Sequence, residues 1–256
     1  MTDRSIQTRA NKSELAQAIA AALDDRIDEA LRSRLQAHVA LTGGSMGQEL
    51  MKAWAARNND DRDWSQVHIW WGDERFVAAG DAERNDQQAE DAGLKKLGVP
   101  QGNIHRMPSS DDNDGDVAAG AQAYADELAR WSDSTTDGLA EKLPMPTFDV
   151  LMLGMGPDGH VASLFPQHQD QLAEDTTVIA VNDSPKPPPT RISLTFPALA
   201  ECREAWLMVA GADKAEAVAR AFGKPDSWEC PASVIDGQIG TTWWLDDDAA
   251  GQLEQG

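Results

Sequence analysis

Positive charge is scarce in this chain. Its 256 residues include 22 lysines and arginines against 43 aspartates and glutamates, a formal net charge of -21. Such a surface repels polyanions at long range, which argues against nucleic acid or an anionic membrane as a partner. It also sets a condition: a site for an anionic substrate must gather the few cations in one place. Cysteine is nearly absent as well. Cys202 and Cys230 are the only two, they lack any metal-ligand spacing, and a chain of this length needs no disulfide in a reducing compartment, so both read as buried thiols. Long apolar runs are missing too. No stretch approaches a membrane span, and the opening MTDRSIQTRANKSELAQ has no apolar core of signal-peptide length, which leads us to expect a cytoplasmic protein. With no linker composition and no internal repeat, a single domain over 1–256 is expected.

What is present is a set of short apolar runs alternating with helical patterns. Residues 12–37 repeat apolar positions at helical spacing, with Ser13 as the expected N-cap of one or two helices. Four runs, 38–41, 67–71, 148–153 and 206–210, read as strands, and each stops at a glycine-bearing polar turn that is expected to feed a helix. Further helical patterns cover 48–56, the end of 77–92, 117–131 and 196–202, the last with Pro197 in its first turn. Further strands are expected at 177–181 and 240–245, the latter closing the sheet, and residues 132–147 read as a long loop. Residues 184–191, SPKPPPTR, are made stiff by proline and unfit for regular pairing. The whole predicts an α/β fold, an open, mostly parallel, Rossmann-like sheet with helices on both faces.

In such a sheet, with right-handed crossovers, successive strand ends share one edge, and ligands bind there. The turns carry distinct chemistry to that edge. Thr42, Gly43, Gly44 and Ser45 form a hydroxyl-lined glycine turn at a helix start, suited to a phosphate. Asp73 and Arg75 follow the second run, Asp158 and His160 the third, and Asp213 and Lys214 the fourth. Arg191, at the end of the proline segment, adds another cation. Each turn alone is ordinary, and a lone histidine is more often structural. Gathered together, they suit a phosphorylated small molecule. GMGPDG at 154–159 also matches the dinucleotide fingerprint G-x-G-x-x-G. Pro166 leaves too little room for the helix that motif requires, and Asp158 would set negative charge beside a pyrophosphate.

The motifs LTGGSMG, WWGDERFV, FDVLMLGMGPDGHVASLFP, PKPPPTRISLTFPAL and VAGADKAEAV, in that order, resemble the 6-phosphogluconolactonase family. That family lies in the superfamily of glucosamine-6-phosphate and galactosamine-6-phosphate isomerases. The run Ser163-Leu164-Phe165-Pro166 stands where the deaminase branch carries phenylalanine-asparagine-glutamate-proline. The chain departs from the pattern at Met46-Gly47, where the family often has threonine-proline, and at Arg84-Asn85, where it often has serine-asparagine. Asn85 is expected to keep its place and Arg84 to be variable. The resemblance implies hydrolysis of 6-phospho-D-glucono-1,5-lactone to 6-phospho-D-gluconate in the oxidative pentose phosphate pathway, with no cofactor and no metal. It implies His160 as the base for water, oriented by Asp158 or Asp73, and Thr42, Gly43, Gly44, Ser45, Arg75, Arg191 and Lys214 as ligands of the phosphosugar lactone. A monomer or small homo-oligomer is expected. The alternatives are an amino-sugar-phosphate deaminase or isomerase, with Asp73 as base, and a non-catalytic sugar-phosphate-binding protein.

Overall fold

A computed structural model describes residues 3–57, 61–132 and 143–253. In chain order the elements are β1 (Arg4–Arg9), α1 (Lys12–Arg34), β2 (Ala37–Leu41), α2 (Gly44–Ala55), β3 (Val67–Trp71), β4 (Asp73–Arg75), α3 (Asn85–Ala92), α4 (Val117–Arg130), β5 (Phe148–Gly154), β6 (Val178–Val181), β7 (Arg191–Leu194), α5 (Phe196–Leu199), β8 (Cys202–Val209), α6 (Ala215–Ala221) and β9 (Gly240–Asp246). Six strands form one all-parallel sheet in the order β1-β9-β8-β5-β2-β3, and β4-β7-β6 form a small antiparallel sheet. This is the open α/β architecture expected, with helices around the sheet. Among the described residues, no helix is long and apolar enough to cross a membrane.

The central strands were readable because a parallel sheet is covered on both faces, which makes its strands continuous apolar runs. All five residues of β2 and all five of β3 are buried. Helix α1 is a single helix whose buried face carries Leu15, Ile19, Leu23 and Ile27. Its N-cap is Asn11, not Ser13: the Asn11 side chain accepts from Glu14 N at 3.0 Å and donates back to Glu14 Oε1 at 2.9 Å. That reciprocal pair satisfies an otherwise unpaired amide. Leu35, at φ 67°, ends the helix in the left-handed region.

Several expectations are corrected. Strand β1 was not foreseen, and it forms the sheet edge, so β9 lies inside and does not close the sheet. The sequence RSIQTR has a largely exposed pattern and no apolar alternation, and only its full-length register with β9 defines it. The helix expected to reach 202 ends at Leu199, because Cys202 pairs with Phe148 at the start of β8. Of the four runs, only β2 and β8 feed a helix, β8 through a short 3-10 turn at Ala212–Lys214. After β3 the chain enters β4, whose backbone bonds are taken by β7. After β5 it forms a tight loop bridged at Met155 and Val161. The proline segment is a turn in which Ser184 N donates to Pro189 O at 2.9 Å, with a cis bond between Pro187 and Pro188. Within the expected loop 132–147, residues 133–142 lie outside the described residues.

The sheet order locates the site. The chain runs outward from β2 to β3, then returns to the other side of β2 as β5 and continues through β8 to β9. The β2/β5 junction is therefore the topological switch point, beyond whose carboxyl ends open α/β sheets bind ligands. Thr42 Oγ1, at the end of β2, accepts from Gly154 N at 3.3 Å and ties the two strand ends together.

Candidate active site

A cavity of about 300 Å³ opens at this junction. Of the ten residues expected from sequence, nine line it: Thr42, Gly43, Gly44, Ser45, Asp73, Arg75, His160, Arg191 and Lys214. Asp158 is the exception and stands behind the imidazole. Helix α2 begins within the glycine turn, at Gly44; its N-cap Gly43 has no side chain to offer, Gly44 N donates to Gln88 Oε1 at 3.0 Å, and the positive end of the helix dipole lies at the cavity, which Gly44, Ser45 and Met46 line. Gly43 is required there, since a Cβ would come within 1.7 Å of Asn85 Oδ1.

The cations are brought together by the second sheet. Arg75 on β4 and Arg191 on β7 are directly opposed in the antiparallel register. Like charges in such a pair are unfavourable, and here both line the cavity, the arrangement expected of an anion site. The Arg191 guanidinium is buried and held by the carbonyls of Pro188, Lys186 and Pro187 at 3.1 Å each, and it lies 5.5 Å from the Phe165 ring centroid. Burial lowers its basicity, and the nearby Asp73 charge opposes that shift. Lys214, in the turn after β8, also lines the cavity, with its Nζ 3.2 Å from Asp213 Oδ2.

His160 is held on a loop with little freedom. Gly156 N donates to His160 O at 3.0 Å, Ala232 N to Gly159 O at 3.0 Å, and Arg220 Nη2 to Asp158 O at 2.7 Å. Gly156 makes room for the ring: a Cβ there would lie 2.1 Å from the imidazole and 2.4 Å from Asp158 Oδ1. Phe165 packs on the other side with its centroid 4.6 Å from that of the imidazole. His160 Nδ1 lies 2.6 Å from Asp158 Oδ1. An ionised carboxylate only accepts, so Nδ1 carries the proton and Nε2 presents a lone pair. Burial pushes His160 below its ordinary pKa, and the Asp158 carboxylate pulls it part of the way back. Burial alone would push Asp158 up, but hydrogen bonding to His160 and the charge of Lys186 hold it well below the usual carboxylate range.

Asp73 has a different occupation. It is 5 % exposed, its Oδ2 accepts from Ser163 Oγ at 2.7 Å, and its Oδ1 lies 3.4 Å from Asn85 Nδ2. The carboxylate touching the imidazole is that of Asp158. Glu74, between Asp73 and Arg75, caps α3 from outside by accepting from Asn85 N at 2.7 Å and Asp86 N at 2.9 Å. That bond fixes Asn85 against Asp73. Arg84 faces away from the cavity, 2 % exposed, paired with Asp86 at 2.8 Å and donating to Met107 O at 2.7 Å.

Residues that sequence reasoning missed also line the cavity. Asn85 was noted only as a motif position. Lys186 was passed over inside the proline segment, yet its Nζ lies 3.1 Å from both Asp158 oxygens and 3.2 Å from His160 Nδ1. A lone lysine in a proline-stiffened turn, in a chain so poor in cations, was the available signal.

Residues 10–244 match the family described as glucosamine-6-phosphate isomerases/6-phosphogluconolactonase. The chain belongs to this family. Among its curated relatives is the 6-phosphogluconolactonase of Streptomyces coelicolor, 47% identical over 95% of this chain and 92% of the relative. That of Mycobacterium tuberculosis is 45% identical over 89% of each. A solved 6-phosphogluconolactonase from Trypanosoma brucei shares the fold with a TM-score of 0.83 at 24% identity, covering 99% of this chain and 100% of that one. A monomeric glucosamine-6-phosphate deaminase shares it at a TM-score of 0.75 and 18% identity, so fold alone does not separate the branches of this family. The Ser163–Pro166 run has a physical place in the site: Ser163 holds Asp73, and Phe165 backs both His160 and Arg191.

Proposed function

We propose that this chain hydrolyses 6-phospho-D-glucono-1,5-lactone to 6-phospho-D-gluconate, with His160 as general base. The observation that carries the reading is one cavity lined by His160, which Asp158 backs, and by four cations, Arg75, Lys186, Arg191 and Lys214. The 47% identity to a curated 6-phosphogluconolactonase supports it.

A six-membered lactone is an activated ester and needs no covalent nucleophile. Neutral His160 takes a proton at Nε2 from water as the water oxygen bonds to C1. Asp158 orients the ring and stabilises the imidazolium that forms. The C1 carbonyl oxygen becomes an oxyanion, then re-forms the carbonyl as the bond from C1 to the ring oxygen breaks. The imidazolium returns its proton to that leaving oxygen, giving the acid, which ionises, and a hydroxyl. Arg75, Arg191, Lys214 and the start of α2 bind the phosphate, turning remote binding into orientation of C1. Asp73 secures Ser163 and compensates the guanidinium of Arg191. The site draws on residues from 42 to 214, which fits one domain over 1–256, and two free, buried thiols fit a cytoplasmic enzyme.

The test is direct. Purified protein should consume the phosphorylated lactone faster than its spontaneous hydrolysis, and 6-phosphogluconate should accumulate in equal amount. A rate equal to the spontaneous one rejects the reading.

A further inference from the structure

Lys186 stands in an unusual relation to the catalytic pair. Its Nζ approaches Asp158 Oδ1 and Oδ2 at 3.1 Å and His160 Nδ1 at 3.2 Å. Asp158 Oδ1 therefore receives two donors, the imidazole N–H and the ammonium. An ammonium has no lone pair and the Nδ1–H is donated to Asp158, which leaves Nδ1 no lone pair to accept with, so the contact between the two nitrogens is not a hydrogen bond. It is an enforced proximity, shared through one carboxylate. It is harmless while the imidazole is neutral. It becomes a repulsion between two cations once Nε2 is protonated.

The position is built into the fold. Lys186 follows Ser184, whose Oγ accepts from Lys186 N at 3.2 Å and donates to Lys186 O at 2.9 Å. Lys186 O also accepts from Arg191 Nη2 at 3.1 Å. Its backbone is thus tied on both sides, and its side chain, 36% exposed, reaches across 26 residues of sequence to the imidazole.

We infer that Lys186 is a positioning residue of the catalytic pair. Held beside the ring through Asp158, its ammonium keeps His160 neutral with the Nε2 lone pair free to take a proton, at the cost of a less stable imidazolium and a weaker base. The inference rests on the lactonase reading only for its consequence in activity.

The groups facing His160 support this balance. Asp158 on its own loop and Asp73 on β4 favour the protonated ring, while burial and Lys186 oppose it. Arg75, Arg191 and Lys214 line the same cavity, and the Arg220 guanidinium lies behind the loop on Asp158 O. Among these cations, only Lys186 has a polar atom at hydrogen-bonding distance from the imidazole.

The test compares Lys186→Met and Lys186→Arg with the parent in two readouts. The first is an NMR titration of His160 in the ligand-free protein, assigned by its loss in His160→Ala. The second is the pH dependence of kcat/KM for the phosphorylated lactone. In Lys186→Met the His160 titration and the acid limb of the profile should both move to higher pH, and Lys186→Arg should stay near the parent. Should Lys186→Met fold poorly, Lys186→Gln serves, since it also removes the charge. An unmoved titration in the neutral variant overturns the inference. So does a raised KM for the phosphorylated lactone with an unmoved titration, which would make Lys186 a phosphate ligand instead. Because the titration needs no substrate, it decides the role of Lys186 even if the lactone proves not to be hydrolysed.

Discussion

A buried cluster of three histidines and the half-buried His160 share most of their physical character and differ in access. His38, His68 and His105 stack beneath tryptophan: His68 Nδ1 lies 3.1 Å from His105 Nε2, His105 Nδ1 lies 2.8 Å from Glu127 Oε1, and Trp70 Nε1 donates to His38 Nδ1 at 3.2 Å. Burial pushes His38 down to about 3 and His68 to about 4, and it lowers His105 as well. His160 is half-buried, and it too is lowered by desolvation and paired with a carboxylate. The difference is access. Both ring nitrogens of His105 are engaged inside the packing, whereas His160 spends Nδ1 on Asp158 and lines the cavity shared with Arg75, Arg191 and Lys214. A perturbed imidazole with a carboxylate partner therefore describes a structural residue as well as the proposed base. The ring nitrogen left to meet a substrate separates them.

The sharpest way to break this comparison is to remove one histidine from each group. His160→Ala should lower kcat/KM for the phosphorylated lactone by about 10²- to 10⁴-fold, the range for a general base, with thermal unfolding close to the parent. His68→Phe should do the reverse, changing stability while the activity per folded molecule stays within a few-fold. Equal losses of activity in the two variants would dissolve the distinction.

Arg75→Ala should have the next largest effect. Losing one charge-assisted bond of roughly 1.5–3 kcal/mol should raise KM for the phosphorylated lactone about tenfold or more, with little change for unphosphorylated gluconolactone. Equal changes for both substrates would remove Arg75 from the phosphate site.

Acid should then expose the sealed group through stability. The folded-state values of about 4 for His68 and about 3 for His38 lie below the unfolded value near 6.5. The unfolded chain thus binds protons first, so stability is full above about pH 6.5 and falls as pH drops towards 4. For His68 alone the loss at pH 5 is about 2 kcal/mol. Urea midpoints measured at pH 7 and pH 5 should show the fall, and His68→Phe should flatten it. The smallest effect concerns the site itself. Since His160 is lowered, kcat/KM should hold on acidification past the midpoint of an ordinary imidazole before it declines. A limb at or above that midpoint would show that the pocket does not depress the base.

The legible parts of the fold and the illegible parts differ for a physical reason. Strands β2, β3 and β5 announce themselves because both faces are buried. Strand β1 does not, because a polar edge strand is defined by the register of its neighbour. Asp158 and His160 were readable from a glycine turn at the end of an apolar run, and Arg75 from its place after another. That Arg75 would stand directly across from Arg191 was not readable, because β3 does not feed a helix but passes into a second sheet. Which carboxylate touches the imidazole was equally hidden, since Asp73 and Asp158 each follow the end of a strand of the main sheet and only their hydrogen bonds distinguish them.

The sequence by itself determined the chemistry at each strand end, because the amino-acid types and glycine spacing of a turn are local. It also determined the class of fold, because apolar periodicity records which faces are covered. The tertiary structure alone decided the company those residues keep: Asp158 and not Asp73 on His160, Arg191 opposite Arg75, and Lys186 against the His160–Asp158 pair. Those contacts join positions 26 to 116 residues apart, or choose between two equivalent carboxylates. They follow from the packing of strands and turns, and no local pattern encodes that packing.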